Sequence, residues 1–504
     1  MAMKSSKAQE GVVRTINLRF DGGLNYSESS SQIADNELAR AFNLIYNNQT
    51  GTPETRPGTT CVTAAALAAP IRKLYHYEKS PTESWLVCVS GEKLYYLNVD
   101  AWTEIGTDAI ADTTVVPSFI TFNNLMIMAD GSTNLRTWDG TTLTALTDGL
   151  SATAIAEVGA RIVINSTGSP DLVTFSGVED ETMWDTADLT NPAIGLRCGF
   201  GDNMTVNAFA VFGTDLIVSK RGIVDKFMYR ISTADVPTNW TVSKLTGNNC
   251  AQNANSMVTA FNNVFFVDVN GFKSIKGVTE YGDLQIDLTG GKINSDWRDR
   301  TNNETAYIPK YNAIWCLTEN KIYAYHNVAG NPVFSELEFV QGVINSVVQV
   351  GDDLYLAGDS GYLYLMDGTA ETDEISPDVT SDYPTLLITK QFNLFGGGIL
   401  RRTSVEFKPL QVVGNNPAYI KARFPDGTKT LLKSISVLVL SEELYDAVGD
   451  LNDATTLLGS IAGPAWIENT TNRVRGTSLQ WQIDSQSGRF GIETLQAEIA
   501  LVTG

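Results

Sequence analysis

The feature that most constrains the fold is a short apolar run placed directly after a turn, because this pattern recurs along the sequence. One copy is VVQVGDDLYLAGDSGYLYLMDG (347–368), in which three apolar runs are separated by Gly-Asp-Asp and Asp-Ser-Gly. Alternating β-branched and aromatic residues bounded by Gly, Asn and Asp are typical of strands joined by hairpins. The sequence therefore predicts a chain built from β-hairpins.

Seven such runs follow one another between about Ile71 and Thr369. They are Trp85–Cys88, Leu125–Met128, Ile162–Ile164, Leu216–Val218, Val264–Val267, Ala313–Cys316 and Leu354–Leu356. They begin 37 to 54 residues apart, an irregular spacing whose mean falls within the 40–50-residue period of propeller blades. A unit of three or four strands cannot bury both faces alone, whereas units stacked around a ring cover one another. We expect an all-β fold with a β-propeller of about seven blades; six or eight blades, or a pair of β-sandwiches, are the alternatives.

The 504 residues are too many for one compact core and suit two or three domains, or one large repetitive domain. The sequence predicts an N-terminal arm (1–66), the propeller (67–375) and a C-terminal β-sandwich-like domain (376–504), whose alternating strands are longer. In the arm we expect a strand and turn at RTINLRFDGGLN, a short amphipathic helix or turn at DNELARAFNLIYN (35–47), and a hairpin ending in ETRPGTTCV. In the C-terminal domain, SEELYDAV (441–448) predicts a short helix capped by its serine.

Charge and composition narrow the range of partners. The formal net charge is −21, so a broad basic surface that binds nucleic acid is not expected. No apolar run approaches the roughly 20 residues that span a bilayer, and the N-terminus lacks the apolar segment of a secretory signal. The five cysteines lie far apart without a C-x-x-C pair, and we expect them to be buried as small hydrophobes.

The residues that could carry chemistry favour structural roles. His76 and His326 lie inside predicted strands without further ligands at zinc-site spacing. The segment 268–272 has only part of a calcium-loop pattern, and Asn270-Gly271 is better explained as a hairpin turn. Gly396–Gly398 precedes a strand, which predicts a turn and not a phosphate-binding loop.

Three acidic clusters are candidates for the paired carboxylates of a glycosidase. They lie at 179–181, 352–353 and 371–374, between predicted strands and in polar surroundings. Neighbours in sequence rarely face each other across a substrate, so solvated loop acids are the favoured interpretation. The sequence therefore predicts no catalytic residue, no cofactor and no metal, and favours a protein that is not an enzyme.

The segment from Phe20 to Gly58, FDGGLNYSESSSQIADNELARAFNLIYNNQTGTPETRPG, resembles the opening of propeller-bearing tail proteins of tailed bacteriophages. Those proteins begin with a Gly-Gly-Leu/Ile-Asn turn, continue through I-x-D-x-E-A-x-x-x-x-N, and close a hairpin on Arg-Pro-Gly. Residues 159–184, 387–407 and 476–499 resemble a recurrent blade and the two ends of the C-terminal sandwich in the same group. Order and spacing carry this resemblance over nearly the whole chain.

By size and architecture the chain is most similar to the tail nozzle of short-tailed phages, a hexameric tube under the portal and adaptor rings. The resemblance implies a structural virion protein, assembled in the host cytoplasm, that retains and then conducts the genome. It implies a homohexameric ring, contacts with adaptor, portal-proximal and tail-fibre proteins, and passage of double-stranded DNA without specific binding. A head-completion or tail-hub protein, a carbohydrate-binding or glycosidase-type propeller and a cellular propeller scaffold are the alternatives.

The resemblance carries over residues of the arm as structural elements only. They are Phe20, Gly22, Gly23, Asn25, Asn43, Arg56, Pro57 and Gly58. We expect Gly22 and Gly23 to permit positive φ in a tight turn. We expect Arg56-Pro57-Gly58 to end a strand and redirect the chain.

Overall fold

The computed structural model describes residues 13–501 with gaps. The residues outside the description within that range are 107–109, 111–112, 114, 132–133, 147–149, 224, 246, 278–283, 298–299, 409–414, 425–427, 439–464, 469–474 and 487–488. Nearly every element is a β-strand, so the all-β prediction is confirmed. The helical elements of the described residues are one short α-helix, α1 (Asn294–Trp297), and two 3-10 helices, Pro237–Asn239 and Pro309–Tyr311. Among these residues, no helix has the length and apolar character needed to cross a bilayer.

The N-terminal segment is built from short strands. They are β1 (Val13–Leu18), β2 (Gly23–Leu24), β3 (Glu37–Phe42), β4 (Leu44–Tyr46), β5 (Pro53–Thr55) and β6 (Gly58–Cys61). The predicted strand at the start is β1, and the predicted hairpin is formed by the antiparallel pair β4 and β5. Both predictions are confirmed.

The helix considered for residues 35–47 is wrong, because this segment forms β3 and β4. Its buried residues Leu38, Ala41 and Ile45 have helical spacing, which explains the interpretation. Asn43, with a φ of 55°, interrupts the segment and separates the two strands. A partner strand far along the chain, described below, pairs with β3, so tertiary pairing overrides the local pattern.

Five antiparallel sheets of four strands follow. Sheet 1 contains β7 (Ile71–Ser80), β8 (Glu83–Ser90), β9 (Lys93–Asn98) and β10 (Ala101–Glu104). Sheet 2 contains β11 (Ser118–Phe122), β12 (Leu125–Ala129), β13 (Arg136–Trp138) and β14 (Leu143–Ala145). Sheet 3 contains β15 (Ile155–Val158), β16 (Arg161–Asn165), β17 (Leu172–Phe175) and β18 (Ile194–Arg197). Sheet 4 is β19 (Thr205–Phe212), β20 (Asp215–Arg221), β21 (Lys226–Ser232) and β22 (Thr241–Lys244); sheet 5 is β23 (Met257–Ala260), β24 (Asn263–Asp268), β25 (Gly271–Gly277) and β26 (Leu284–Asp287). Asn270-Gly271 lies at the hairpin between β24 and β25, as predicted.

Two further sheets complete this series. Sheet 6 is β27 (Asn302–Ile308), β28 (Ala313–Thr318), β29 (Ile322–Val328) and β30 (Asn331–Leu337); sheet 7 contains β31 (Ile344–Val350), β32 (Asp353–Gly358), β33 (Leu363–Asp367), β34 (Asp373–Ser376) and β35 (Val379–Ser381). In sheet 7, β6 from the N-terminal segment lies between β33 and β34 and pairs antiparallel with β33. Each of the seven apolar runs found in the sequence lies in the second strand of its sheet, so the predicted hairpins are confirmed.

The first strands of the sheets pack in order. β7 contacts β11, β11 contacts β15, β15 contacts β19, β19 contacts β23, β23 contacts β27, β27 contacts β31, and β31 contacts β7. Buried apolar clusters bridge these interfaces, as Met126 and Val87 do between sheets 1 and 2 and as Leu74 and Ala357 do between sheets 7 and 1. The contacts therefore run from sheet 1 through sheet 7 and back to sheet 1.

Most of the C-terminal strands are long, as predicted. They are β36 (Thr385–Thr389), β37 (Phe392–Lys408), β38 (Asn415–Arg423), β39 (Lys429–Leu438), β40 (Ala465–Glu468), β41 (Arg475–Ser485) and β42 (Gly491–Leu501). β1 pairs with β42, while β3 pairs with β36 on one side and with β30 of sheet 6 on the other. The N-terminal segment therefore joins the C-terminal strands to sheets 6 and 7.

Two predictions for the C-terminal region have different outcomes. The turn predicted at Gly396–Gly398 is wrong, because these residues lie inside β37, where the pairing with β41 changes register between Asn393 and Gly398. The irregular pairing accommodates three consecutive glycines, which weaken a regular strand. The helix predicted at 441–448 lies outside the described residues.

Candidate functional site

Arg56 lies between β5 and β6 and forms a buried ion pair with Asp373 at the start of β34. The two guanidinium nitrogens Nη1 and Nη2 donate to the two carboxylate oxygens at 2.8 and 2.5 Å, and both side chains are fully buried. Taking both charges out of water is costly, so the pair stabilises the fold only if the geometry is good and the remaining donors have partners. The bidentate geometry meets the first condition.

The remaining donors of Arg56 also have partners. Nη1 donates to the Pro57 carbonyl and Nη2 to the Glu338 carbonyl, both at 2.9 Å. The planar group lies between the rings of Phe339 and Tyr383, with centroid distances of 4.1 and 3.8 Å. Stacking of this kind suits Arg and not Lys. Arg56 thus touches the N-terminal segment, the link between sheets 6 and 7, and the link to the C-terminal strands.

Tyr383 completes the enclosure of Arg56. Its hydroxyl donates to the Arg56 carbonyl at 2.5 Å. Burial raises the pKa of the Tyr383 phenol to about 12, although the nearby Arg56 charge acts in the opposite direction. The phenol is therefore protonated and remains a donor at neutral pH.

Asn43 holds the other side of this network. Its Oδ1 accepts from the Glu338 N–H at 2.8 Å and from Arg56 Nε at 3.3 Å, and its Nδ2 donates to the Pro384 carbonyl at 2.7 Å. Its left-handed backbone is one that Asn tolerates better than most residues. The structure thus brings together Asn43, Arg56 and Pro57, which were singled out from the sequence for structural roles.

Gly58 permits a close approach of two strands beside the ion pair. A Cβ at this position would lie 2.0 Å from the Thr372 carbonyl oxygen. The next residue, Thr59, donates its hydroxyl to Asp373 at 3.1 Å. Asp373 had been expected to be a solvated loop acid, which is wrong. It lies 317 residues from Arg56 in the chain, and no local pattern connects the two.

The Gly-Gly turn differs in one respect from the prediction. Gly23 has a φ of 66°, and its Cβ would lie 2.6 Å from Val333 Cγ1 of sheet 6. Gly22 lies outside the positive-φ region, so that part of the prediction is wrong. It is required instead because a Cβ would lie 2.8 Å from the Asn36 carbonyl oxygen. Both glycines let the N-terminal segment pack closely.

The other two arm residues are buried beside this turn. Phe20 belongs to the large apolar cluster shared by the N-terminal segment and the C-terminal strands. Asn25 Nδ2 donates to Glu37 Oε2 at 2.8 Å. These residues therefore stabilise the attachment of the segment and stand apart from the Arg56 network.

A second polar cluster, which sequence reasoning missed, surrounds Lys321. Lys321 Nζ contacts Asp296 Oδ2 at 2.6 Å and also the buried Glu336, and Tyr26 of the N-terminal segment donates to Glu336 at 2.8 Å. Burial alone raises the pKa of Asp296, but hydrogen bonds from Lys321 and Tyr323 and the charge of Lys321 outweigh it and lower the pKa to about 2. This cluster ties the N-terminal segment to sheet 6.

Polar contacts also join distant sheets through residues on or next to the first strand of each sheet. Lys73 on β7 and Glu304 on β27 form an ion pair with an N–O distance of 2.5 Å, although sheet 7 lies between sheets 1 and 6. Asn255, just before β23, donates to the Val116 carbonyl just before β11 at 3.4 Å. These contacts connect sheets that are not neighbours in the series.

The histidines lie in strands, as predicted. His326 is fully buried, and its Nε2 lies 3.2 Å from Ser335 Oγ. Burial lowers the pKa of His326 to about 3 and also lowers that of His76. Within the described ranges, no group of three or more His, Cys, Asp or Glu side chains is arranged to hold a metal. Cys88, Cys198, Cys250 and Cys316 are buried, whereas Cys61 is partly exposed.

Comparison with known proteins gives structural likenesses of low identity. No protein-family model and no curated protein matches the chain. A computationally designed protein, Ika8, is similar over 61% of this chain and 99% of its own, with 11% identity and a TM-score of 0.39.

Two bacterial proteins are similar over larger parts of this chain. The extracellular domain of a hybrid two-component system from B. thetaiotaomicron matches 79% of this chain and 58% of its own length, with 10% identity and a TM-score of 0.44. PorZ, a surface component of the type-IX secretion system of Porphyromonas gingivalis, matches 70% of this chain and 52% of its own, with 11% identity and a TM-score of 0.38. Likenesses of this size carry no information about function.

Proposed function

We propose that the seven sheets form a seven-bladed β-propeller whose last blade is completed by β6. The cyclic contacts of the first strands support this, because β31 packs against both β27 and β7. Apolar clusters at the interfaces give each sheet a buried face on both sides, which a single four-stranded sheet lacks. The C-terminal strands then form a β-sandwich-like domain beside blades 5 and 6.

On this architecture we propose a structural virion protein, the tail nozzle of a short-tailed phage. The observation that carries the proposal is the Arg56 network. It fixes the N-terminal segment simultaneously to Asp373 in the last blade and, through Tyr383 and Asn43, to the link leading into the C-terminal strands. A tube that must keep its shape while DNA passes needs its parts joined rigidly in this way.

The DNA path in this proposal lies between copies and not within one copy. The Lys73–Glu304 and Asn255–Val116 contacts cross the middle of a single propeller. A ring of six copies would carry a formal charge of about −126, and an acidic wall repels phosphates. The mechanism is passive conduction along a wall of low affinity.

The test of this function is the copy number of the chain in purified virions of the phage that encodes it. Quantitative peptide mass spectrometry against a capsid protein of known number should give about six copies per particle, as expected for a homohexameric ring. A single copy per particle, or recovery only from the cytosol of infected cells, would contradict a ring-forming nozzle.

A further inference from the structure

Two hairpins end in strands whose outer edge has no partner strand. β34 and β35 form the outer end of sheet 7, and among the described strands β35 pairs with β34 alone. β38 and β39 form a hairpin of the C-terminal strands, and β39 likewise pairs with β38 alone. An open edge presents backbone N–H and C=O groups to another chain. We call β34–β35 the acidic hairpin and β38–β39 the basic hairpin, after the charges that they carry.

The acidic hairpin lies in a segment without positive charge. Residues 352–382 contain nine acidic residues and no Lys or Arg. Asp378 lies in the turn of the hairpin and Asp382 follows β35; both are exposed, and neither forms an ion pair with a described residue. Beside them, Ile375 is 39% exposed and Val379 is 51% exposed. The hairpin therefore presents unpaired negative charge next to apolar side chains.

The basic hairpin carries the opposite charge. Residues 415–438 contain four basic residues and one acidic residue. Arg423 and Lys429 lie directly opposite each other on the two strands, and neither has an ion-pair partner within the described part of the chain. Lys421, by contrast, is already paired with Asp484 at 2.7 Å. Positive charge remains in excess after this pair and the acidic residue of the segment are counted.

An apolar side chain lies beside these free charges. Leu431 is 52% exposed, and its pairing with Lys421 places it on the same face of the hairpin as Arg423 and Lys429. A strand that adds to an open edge uses backbone hydrogen bonds and contacts with such side chains, whereas the phosphates of nucleic acid need only the charges. The apolar residue and the open edge of β39 therefore favour a β-strand as the occupant.

The two hairpins of one copy do not pair with each other. No hydrogen bond or ion pair joins the described residues of one hairpin to those of the other. Each hairpin is also held in place, because Asp373 at the start of β34 is bound to the buried Arg56 and β38 pairs with β41. A contact between them therefore joins two copies. Because the two surfaces differ, the contact is head-to-tail and closes into a ring or extends into a chain.

We propose that the acidic hairpin of one copy docks on the basic hairpin of a second copy, so that β35 adds a strand to the open edge of β39. Asp378 then lies against Lys429, with Arg423 on the next strand, and Val379 packs against Leu431. Backbone hydrogen bonds supply affinity, and the opposite charges fix the register. This contact rests on the proposed function, because it supplies the head-to-tail step from which the ring is built.

The experiment reverses one charge on each hairpin of the full-length chain. Asp378→Lys and Lys429→Glu should each weaken association by about tenfold or more in sedimentation velocity, because each places like charges together. The chain that carries both reversals should associate within about threefold of the wild type, because the ion pair is restored with its signs exchanged and the two changes are not additive. Recovery of this kind requires direct contact between the two positions.

Glu28→Lys and Arg19→Glu are the matched controls. Both side chains are exposed and lie outside the two hairpins, and the substitutions change the net charge by the same amounts. Both variants should associate like the wild type. A wild type that stays monomeric, single reversals without effect, or a combined variant that does not recover would overturn the proposal. A monomeric wild type whose binding of duplex DNA is lost in Lys429→Glu would assign the basic hairpin to nucleic acid instead.

The same measurements separate this contact from the proposed function. Closed rings that persist in both single reversals would keep the nozzle and reject the contact. Recovery in the combined variant together with open wild-type chains would keep the contact and reject the nozzle.

Discussion

The buried Arg56–Asp373 ion pair joins the N-terminal segment to sheet 7. Removing Arg56 leaves the Asp373 carboxylate buried without a counter-charge, and breaking a buried pair in this way costs about 3–5 kcal/mol. We therefore expect Arg56→Ala to lower the free energy of unfolding by that amount in urea titrations. Arg56→Lys should recover only part of it, because Lys cannot form the bidentate and stacked geometry.

The matched control is the exposed pair Lys93–Glu104 in sheet 1, with an N–O distance of 2.7 Å. Lys93→Ala should cost less than about 1 kcal/mol, as exposed pairs do. Equal effects at the two sites would mean that the buried network does not hold the N-terminal segment.

His326 makes stability depend on pH. The folded protein keeps it neutral down to about pH 3, whereas in the unfolded chain it takes up a proton near its ordinary pKa of 6.5. Because the folded pKa is the lower one, stability is complete above pH 6.5 and is lost as the pH falls towards 3. Relative to His326→Gln, the wild type should lose about 1.4 kcal/mol for each pH unit below 6.5.

This dependence is measured by urea unfolding of both proteins at pH 7.0, 6.0 and 5.0. His76→Gln provides the comparison, because His76 is only partly buried and should produce a smaller slope. A constant difference between wild type and His326→Gln across this range would contradict a neutral, buried His326.

Strands were more predictable from the sequence than their partners. The run Leu354–Leu356 and its six counterparts are apolar and are bounded by turn residues. The hairpins of all seven sheets could therefore be predicted from the sequence. The segment 35–47 could not, because Leu38 and Ala41 have helical spacing while the residues that pair with them, Thr389 and Leu387, are 351 and 346 residues away. For the same reason, the sequence did not reveal that Asp373 forms an ion pair. Its partner Arg56 was recognised only as part of a turn.

The strand β6 should be the element through which the N-terminal segment stabilises sheet 7. Gly58→Ala places a Cβ against the Thr372 carbonyl, so the strands must separate, and overpacking of this kind costs about 1–3 kcal/mol. We expect a lower melting temperature in thermal unfolding. Gly368→Ala is the control, because nothing lies within 4 Å of its Cβ and its φ is not positive; it should leave the melting temperature unchanged or slightly higher.

We expect that DNA does not adhere to the assembled protein. The excess of acidic residues favours repulsion, whereas a basic lumen would release counterions and bind tightly at low salt. Fluorescence anisotropy with linear duplex DNA should therefore detect no binding even at low ionic strength. Tight binding that weakens steeply with salt would contradict the low-affinity wall.

The proposed nozzle requires that the chain assembles side by side into a ring around an open bore. Single-particle electron microscopy of the purified, concentrated protein tests it most directly. We expect closed rings of about six copies with an empty central hole, each copy containing a disc of seven radial blades. Isolated particles only, or closed assemblies whose centre is filled with protein, would contradict it.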